Sequence, residues 1–396
     1  MSLRLNNFIK SLILGLVFFT PLIYNPANSE LFEIPKMYFV YLITLIIITA
    51  HLFNHLQNNT PLFRHHPLNI PILLFLASQL IATIFSIDRH VSIFGYYSRL
   101  DGGLLSLLAF TSLFFITSNY LDDKFRRQLI NFSLLSGITV AMLGIAQHFN
   151  LTQYPFIKNI FKNTPIYGLI DKNSWKTDVQ ARVFSTLGQP NWLAAYLCIL
   201  LPFSLDRFFS TTRLIHKSYF LLLTSSFWLC LLFTKSKTGL IAAIISLGIY
   251  FVYKLFLDFK NNVLFINLKS YFILLIFLLL SLSVSNPIKD FFFPQKMING
   301  SMINDKSVLI TPSEDIRKIV WQGAVDLWKR YPVFGTGPET FAFSYYWTRP
   351  ATHNLTSEWQ FLYNKAHNEY LNYLATSGLI GLITYLLLII SFSYYV

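Results

Sequence analysis

The chain has 396 residues, of which 54% are hydrophobic and only 12% are charged, about half the charged share of an average soluble domain. A soluble core could not bury this much apolar surface, whereas a lipid bilayer is itself an apolar solvent. The formal net charge of +13 comes without a basic and aromatic nucleic-acid module. We therefore expect membrane lipids, and no nucleic acid, as partners.

Ten apolar segments follow one another along the chain, and most are long enough for a helix to cross a hydrocarbon core of about 30 Å. They predict an all-α, polytopic transmembrane bundle of about ten spans. The segments lie near 11–24, 37–53, 70–86, 102–118, 129–147, 192–206, 218–234, 238–253, 270–285 and 370–391. The sixth is short, with Pro190 and Pro202 near its ends, a pattern typical of broken helices that line a site.

The positive charges predict the orientation of these spans. All 31 Lys and Arg fall between the apolar segments, and a cytoplasmic N-terminus gives the inner loops a modest excess of cations. Residues 1–285 then hold spans one to nine with an outer loop at 148–191, and residues 286–369 form a large helical extracytoplasmic loop. Residues 370–396 form the tenth span. Because the sequence ends at Val396 inside an apolar stretch, we expect a truncated chain.

The large loop contains one clear helix signal. Thr311 is predicted to be its N-cap, Pro312 its first residue and Glu314 the partner in a capping box. Apolar residues from Ile316 to Leu327 then recur on one face. Arg330-Tyr331-Pro332 is predicted to end the helix, and a Gly-Thr-Gly-Pro turn follows.

Arg182 is the first residue that could carry chemistry. It begins the segment Arg182–Ala195, shortly before the sixth span and on the outer side, where a cation opposes the charge bias. A guanidinium group matches phosphate oxygens in a bidentate way. The alternative is an interfacial arginine that contacts lipid headgroups.

Two lysines form the second candidate. Lys235 and Lys237 lie in the short outer hairpin Thr234–Gly239 between the seventh and eighth spans. A tight turn at the membrane surface could hold an ammonium group beside a pyrophosphate. The alternative is a solvated turn.

His367 is the third candidate, just before the tenth span. The dipole at a helix N-terminus disfavours extra positive charge, so the imidazole should stay neutral and able to accept a proton from a hydroxyl. A structural interfacial histidine is the alternative. Asn191, Asn368 and Arg99 are secondary candidates. Other histidines, His51 and His55 among them, are predicted to be inner-loop residues.

Several expected signals are absent from the sequence. We find no outer acidic pair for a divalent metal, no zinc spacing and no glycine-rich phosphate loop. No predicted span interior carries an ionisable Lys, Arg, Asp or Glu, which counts against a transporter or flippase of lipid-linked sugars without excluding it. A membrane scaffold or sensor also stays open.

The ordered set of these segments resembles the O-antigen ligase and polymerase superfamily of bacterial membrane glycosyltransferases. The matching stretches lie within about residues 180–390: Arg182–Ala195, Thr234–Gly239, Trp321–Phe341, His367–Leu371 and Ser377–Gly381. No single motif is highly specific, but the ordered set, with a large outer loop between the hairpin and the histidine, is fairly specific.

The resemblance implies a metal-independent transferase without a cofactor. Such enzymes act in polysaccharide or lipopolysaccharide biosynthesis, on the extracytoplasmic side of the bacterial cytoplasmic membrane. The donor is a glycan on undecaprenyl pyrophosphate. Arg182 and a hairpin cation would bind the pyrophosphate, and His367 would activate an acceptor hydroxyl of a glycan, lipid or protein. The hairpin departs from the family pattern, since Lys237 stands where an arginine is usual. Ligase, chain polymerase and protein O-glycosylating activities are not separable here.

Overall fold

The computed structural model describes residues 2–58, 61–260, 268–284, 286–288 and 311–395. These residues form helices and turns and contain no β-strand. The α-helices are α1 (Ser2–Phe19), α2 (Glu33–Asn58), α3 (Asn69–Ile84), α4 (Arg89–Phe94), α5 (Leu104–Tyr120), α6 (Asp123–His148), α7 (Pro155–Phe161), α8 (Pro165–Ile170), α9 (Pro190–Ser210), α10 (Leu214–Phe233), α11 (Lys237–Lys260), α12 (Leu268–Ser283), α13 (Ser313–Arg330), α14 (Phe341–Ser344) and α15 (Glu369–Tyr395).

The all-helical membrane architecture is confirmed, and every predicted span overlaps a helix. Within the described residues six helices are long and apolar enough to cross a membrane, namely α2, α6, α9, α10, α11 and α15. Helices α3 and α5 are apolar but shorter. The total of ten spans stays a prediction. Residues 289–310 of the predicted large loop, and the end of the chain at Val396, lie outside the described residues.

The expectation that all cations fall in loops is wrong. Helix α1 contains Arg4 and Lys10, α6 begins before Lys124, and α11 runs on to Lys260. These helices extend beyond the apolar segments read from the sequence. Long basic side chains near helix ends can reach the headgroup region while their stems stay on the apolar surface.

The chain divides into two compact units. The first comprises the described residues of Met1–Lys10, Met37–Leu121 and Gly300–Val396, and the second those of Ser11–Lys36 and Asp122–Asn299. In the second unit α9 packs against α6, α10 and α11. Half of the most apolar stretch of α9 is buried, whereas 17% of the corresponding stretch of α11 is buried. Helix α9 is therefore the central helix of this unit.

Small residues let the helices of the second unit approach closely. A Cβ atom at Gly239 of α11 would lie 2.4 Å from Cβ of Ala194 in α9. Cys198 also lies at this contact, and its Sγ donates to the Gly239 carbonyl oxygen at 3.1 Å. Cys198 and Cys230 are both free and buried in the apolar core. The start of α11 is therefore fixed against α9, which matters for the hairpin that precedes it.

In the first unit α15 packs against α3 and α13. The apolar face predicted for α13 is confirmed, since Ile316, Val320, Ala324 and Leu327 are buried. They pack with Phe341, Tyr345, Tyr363, Ala366 and Ala375. This core holds the residues just before α15 against α13.

Helix α15 is interrupted at Gly378, whose φ of 68° and ψ of −167° fall in a region that essentially only glycine adopts. The turn at residues 332–337 packs on this interruption through four backbone hydrogen bonds. These run from Thr336 N to Ala375 O at 3.2 Å, from Gly337 N to Thr376 O at 2.7 Å, from Leu379 N to Pro332 O at 2.9 Å and from Ile380 N to Val333 O at 3.4 Å. The turn therefore satisfies backbone groups that the broken helix leaves unpaired.

Two local predictions are wrong. The sixth span is a continuous helix, α9, with Pro202 inside it, and the broken helix is α15 instead. Helix α13 has no side-chain cap, because Thr311 is engaged elsewhere. Its N–H donates to Ser357 Oγ at 3.1 Å, and its Oγ1 accepts from Ser357 N at 3.0 Å. The end of α13 at Arg330 is as predicted.

Candidate functional site

Arg182 lies beside the C-terminal end of α10 in the second unit. Its Nε donates to the carbonyl oxygen of Thr234 at 3.3 Å, and the neighbouring Val183 N–H donates to Phe233 O at 3.2 Å. Val183 is fully buried, whereas Arg182 is exposed. The backbone is thus fixed while the guanidinium group reaches solvent, and its bond to Thr234 uses Nε alone.

The predicted hairpin is a tight turn between α10 and α11. Thr234 Oγ1 donates to Leu231 O at 2.7 Å and accepts from Ser236 N at 3.2 Å. Ser236 Oγ accepts from Gly239 N at 3.1 Å and so caps α11. Lys235, between these two residues, has a left-handed φ of 49°. Two buried hydroxyl groups therefore set the shape of the turn that carries the lysines.

Lys237 is the first residue of α11 and is exposed. A cation at a helix N-terminus is unfavourable for the helix, because the N-terminal end of the dipole is positive. The stability of α11 therefore does not explain why a lysine occupies this position. An anion placed there would be attracted both by the ammonium group and by the helix end.

Asn191 connects the same turn to α9. Ser236 Oγ donates to Asn191 Oδ1 at 2.7 Å. The structure therefore brings together Arg182, Asn191, Lys235 and Lys237, which we call the cation group. Two segments that the sequence analysis singled out separately, Arg182–Ala195 and the hairpin Thr234–Gly239, meet here.

His148 also belongs to this region, and the sequence analysis missed it. Its Nδ1 bonds to the carbonyl oxygen of Gln180 at 2.7 Å, and its ring stacks on Phe233 at 3.7 Å between centroids. Because a carbonyl oxygen only accepts, Nδ1 carries the proton and Nε2 of the neutral ring does not. The only signal in the sequence is its place directly after the fifth apolar segment.

His367 lies immediately before α15 in the first unit, as predicted. Its backbone is left-handed, with φ 53°, and its ring stands edge-on to Tyr363 at 5.6 Å. Asn368 caps α15, since its Oδ1 accepts from the N–H groups of Tyr370 at 3.1 Å and Leu371 at 3.3 Å. The secondary candidate Asn368 therefore has a structural role.

The surroundings of His367 favour a neutral imidazole. Loss of solvation lowers its pKa first, and the nearby charges of Arg317, Arg99 and Lys365 lower it further, while Glu358 raises it. The net pKa is below the usual 6.5 of histidine. The secondary candidate Arg99 thus acts on His367 through its charge.

The prediction that His51 and His55 are loop residues is wrong, because both lie in α2. His51 is 3% exposed. Its Nδ1 bonds to Tyr120 Oη at 2.9 Å and its Nε2 to Leu62 O at 3.0 Å. Both ring nitrogens are satisfied, so His51 is a structural residue of the first unit.

The candidate residues form two groups, one in each unit. The cation group belongs to the second unit, and His367, Asn368 and Arg99 belong to the first. Within the part of the chain that the structure describes, no cluster of three or more His, Cys, Asp or Glu side chains could hold a metal ion.

Comparison with models of known protein families gives a match. The family model described as O-antigen ligase matches residues 220–386. The matched range contains the hairpin, α13, the 332–337 turn and His367. A search of the curated proteins found no match.

Proposed function

We propose that this chain, which belongs to the O-antigen ligase superfamily through residues 220–386, transfers or polymerises a glycan from an undecaprenyl-pyrophosphate carrier onto an acceptor hydroxyl. The family match supports glycan transfer by a multi-pass membrane protein in general. The observation that carries the more specific proposal is the cation group. It joins Arg182, the hairpin and Asn191 through bonds of 3.3 Å and 2.7 Å.

The cation group provides what a diphosphate needs. Arg182 offers a planar fork whose Nη atoms are not used in the bond to Thr234, and Lys235 and Lys237 offer ammonium groups. Charge develops on the leaving diphosphate as the sugar–oxygen bond breaks. Fixed cations at a membrane surface stabilise that charge more than they would in bulk water.

His367 provides the base. The neutral imidazole accepts the proton of the acceptor hydroxyl, and the hydroxyl oxygen forms the new bond to the anomeric carbon. The bond from that carbon to the phosphate oxygen breaks, and its electron pair stays on the diphosphate. His367 then returns its proton to water. The residues named need no metal or other cofactor, so we propose a metal-independent reaction.

The topology is part of the proposal. About ten spans with a cytoplasmic N-terminus would put both groups on the extracytoplasmic side of the bacterial cytoplasmic membrane, with 148–191 and 286–369 outside. Cysteines introduced at exposed Lys176 and Glu358 should react with an impermeant maleimide in intact cells. Labelling only after the cells are opened would contradict this orientation.

The test of function is transfer by the purified protein in liposomes supplied with an undecaprenyl-pyrophosphate glycan and an acceptor. Product should form in EDTA, and Arg182→Ala and His367→Ala should each abolish it. Arg213→Ala and His216→Ala are matched controls, since both residues are exposed, Arg213 just before α10 and His216 in its first turn. Movement of the donor across the bilayer without a new glycosidic bond would contradict transfer and indicate a flippase.

A further inference from the structure

Lys365, two residues before His367, belongs to a partly buried ion pair with Glu339. Nζ of Lys365 is 3.2 Å from Oε1 of Glu339, and the two side chains are 28% and 7% exposed. Three other ion pairs are exposed, and each joins residues three positions apart in the same helix. They are Arg126–Asp123 in α6 and Lys318–Asp315 and Lys329–Asp326 in α13. Those surface pairs need no functional explanation. A partly buried pair between distant segments costs desolvation free energy, and this cost suggests that the pair has a function.

Three segments of the first unit meet at this pair. A Cβ atom at Gly102 would lie 2.2 Å from Glu339 Oε1, so the carboxylate rests directly on the loop between α4 and α5. The charges of Asp101 and Glu369 also act on Lys365. Although burial lowers its pKa, Glu339, Asp101 and Glu369 raise it overall. Lys365 is therefore protonated throughout the physiological range.

Each of the three segments also contains a non-glycine residue in the left-handed region. These are Leu100 with φ 56°, Glu339 with φ 60° and His367 with φ 53°. Such conformations are costly and persist where the surrounding structure imposes them, often at functional sites. Glu339 is itself a member of the ion pair. Leu100 directly precedes Asp101, and His367 lies two residues after Lys365.

We propose that the Lys365–Glu339 ion pair is a positioning device for His367, holding its backbone in the left-handed conformation and keeping a positive charge in the surroundings of its imidazole. The inference rests on the proposed role of His367 as the base. The groups that act on this imidazole are Arg317 of α13, Arg99 of the α4–α5 loop, and Glu358, Tyr363 and Lys365 of its own loop. Glu339 acts through Lys365.

The proposal predicts shifts of opposite sign in the pKa of His367 when one or the other member of the pair is replaced. Lys365→Met removes a positive charge near His367, so the pKa of His367 should rise. Glu339→Gln removes the carboxylate that pairs with the ammonium group of Lys365 and leaves only the weaker influence of Asp101 and Glu369, so the pKa of His367 should fall. A general loosening of the loop would instead move both values toward the ordinary 6.5.

The experiment is a histidine NMR titration of the full chain in nanodiscs. His367 is assigned by the signal lost in His367→Gln, and Lys329→Met is the matched control, since it breaks only an exposed pair. Shifts of opposite sign in Lys365→Met and Glu339→Gln support the proposal. Unchanged values, or shifts of the same sign, would overturn it. The titration does not measure glycan transfer, so it tests the ion pair even if the protein turns out not to transfer a glycan.

A transfer assay then separates positioning from folding. Each single variant should lower kcat by up to roughly 100-fold with the KM for donor unchanged, since small misplacements of a base cost that much. The double variant Lys365→Met/Glu339→Met replaces the pair by apolar groups and should recover thermal stability without recovering kcat. Recovery of kcat together with stability would show a structural role only.

Discussion

Replacement of Gly378 by alanine tests how the interruption of α15 is held. A Cβ atom there would lie 2.2 Å from the Val333 carbonyl oxygen, and the φ and ψ of this residue cost a non-glycine residue about 1–3 kcal/mol. Moving the turn away would also break the bonds from Leu379 N to Pro332 O and from Ile380 N to Val333 O. Each bond contributes about 1 kcal/mol, so the total loss is about 4 kcal/mol.

The assay is thermal unfolding of the purified protein in detergent. At about 2 °C per kcal/mol for a large domain, Gly378→Ala should lower the midpoint by about 8 °C. Gly248→Ala is the matched control, because Gly248 lies in α11 and a Cβ atom there meets nothing within 4 Å. It should leave the midpoint unchanged or raise it slightly. Equal midpoints for Gly378→Ala and wild type would refute the account of the broken helix.

Three further predictions concern the site. Because burial and nearby cations lower the pKa of His367 from its usual value, transfer that needs its neutral form should fall only on acidification, with an acid limb at lower pH than an ordinary histidine would give. A pH–rate profile with an acid limb above pH 7 would be inconsistent with this. Ser236→Ala removes the cap of α11 and the bond to Asn191, so it should lower stability by about 1 kcal/mol and raise the KM for donor. Chemical unfolding and donor titration measure the two effects, and a normal KM would separate the hairpin from donor binding. Lys237→Arg restores a bidentate fork and should lower the KM for donor, whereas an increased KM would mean that the lysine geometry is required.

The sequence predicted the positions of the helices well, because each spanning helix requires a long apolar run that few other structures use. Their ends were predicted less well. Helix α6 begins at Asp123 rather than near 129, because a helix continues past the hydrocarbon core wherever its polar residues can reach the headgroups. Hydropathy does not report that extension.

Local polar contacts explain the other differences. Thr311 has the sequence of a helix cap but pairs with Ser357, 46 residues away, and no local pattern encodes such a partner. The prolines of α9 suggested a broken helix, whereas the break in α15 arises because the 332–337 turn supplies the missing backbone bonds. Glycines at 335, 337 and 378 were the only sequence signal of it.

The candidate site was partly predictable. Arg182 and the hairpin were identified separately, and the structure joins them through Thr234 and Asn191. His148 and the Lys365–Glu339 pair were not identified, because a histidine after a span and a lone lysine are common in loops. Their significance comes from tertiary contacts with Phe233 and Gly102.

The central claim is that the cation group binds the donor and His367 acts as the base. Measuring donor binding separately from transfer tests this claim most directly. With a labelled undecaprenyl-pyrophosphate glycan, His367→Ala should bind donor with the wild-type Kd and form no product in a single turnover. Arg182→Ala should lose donor binding. Product formation by His367→Ala at the wild-type rate, or a wild-type Kd for Arg182→Ala, would contradict the account.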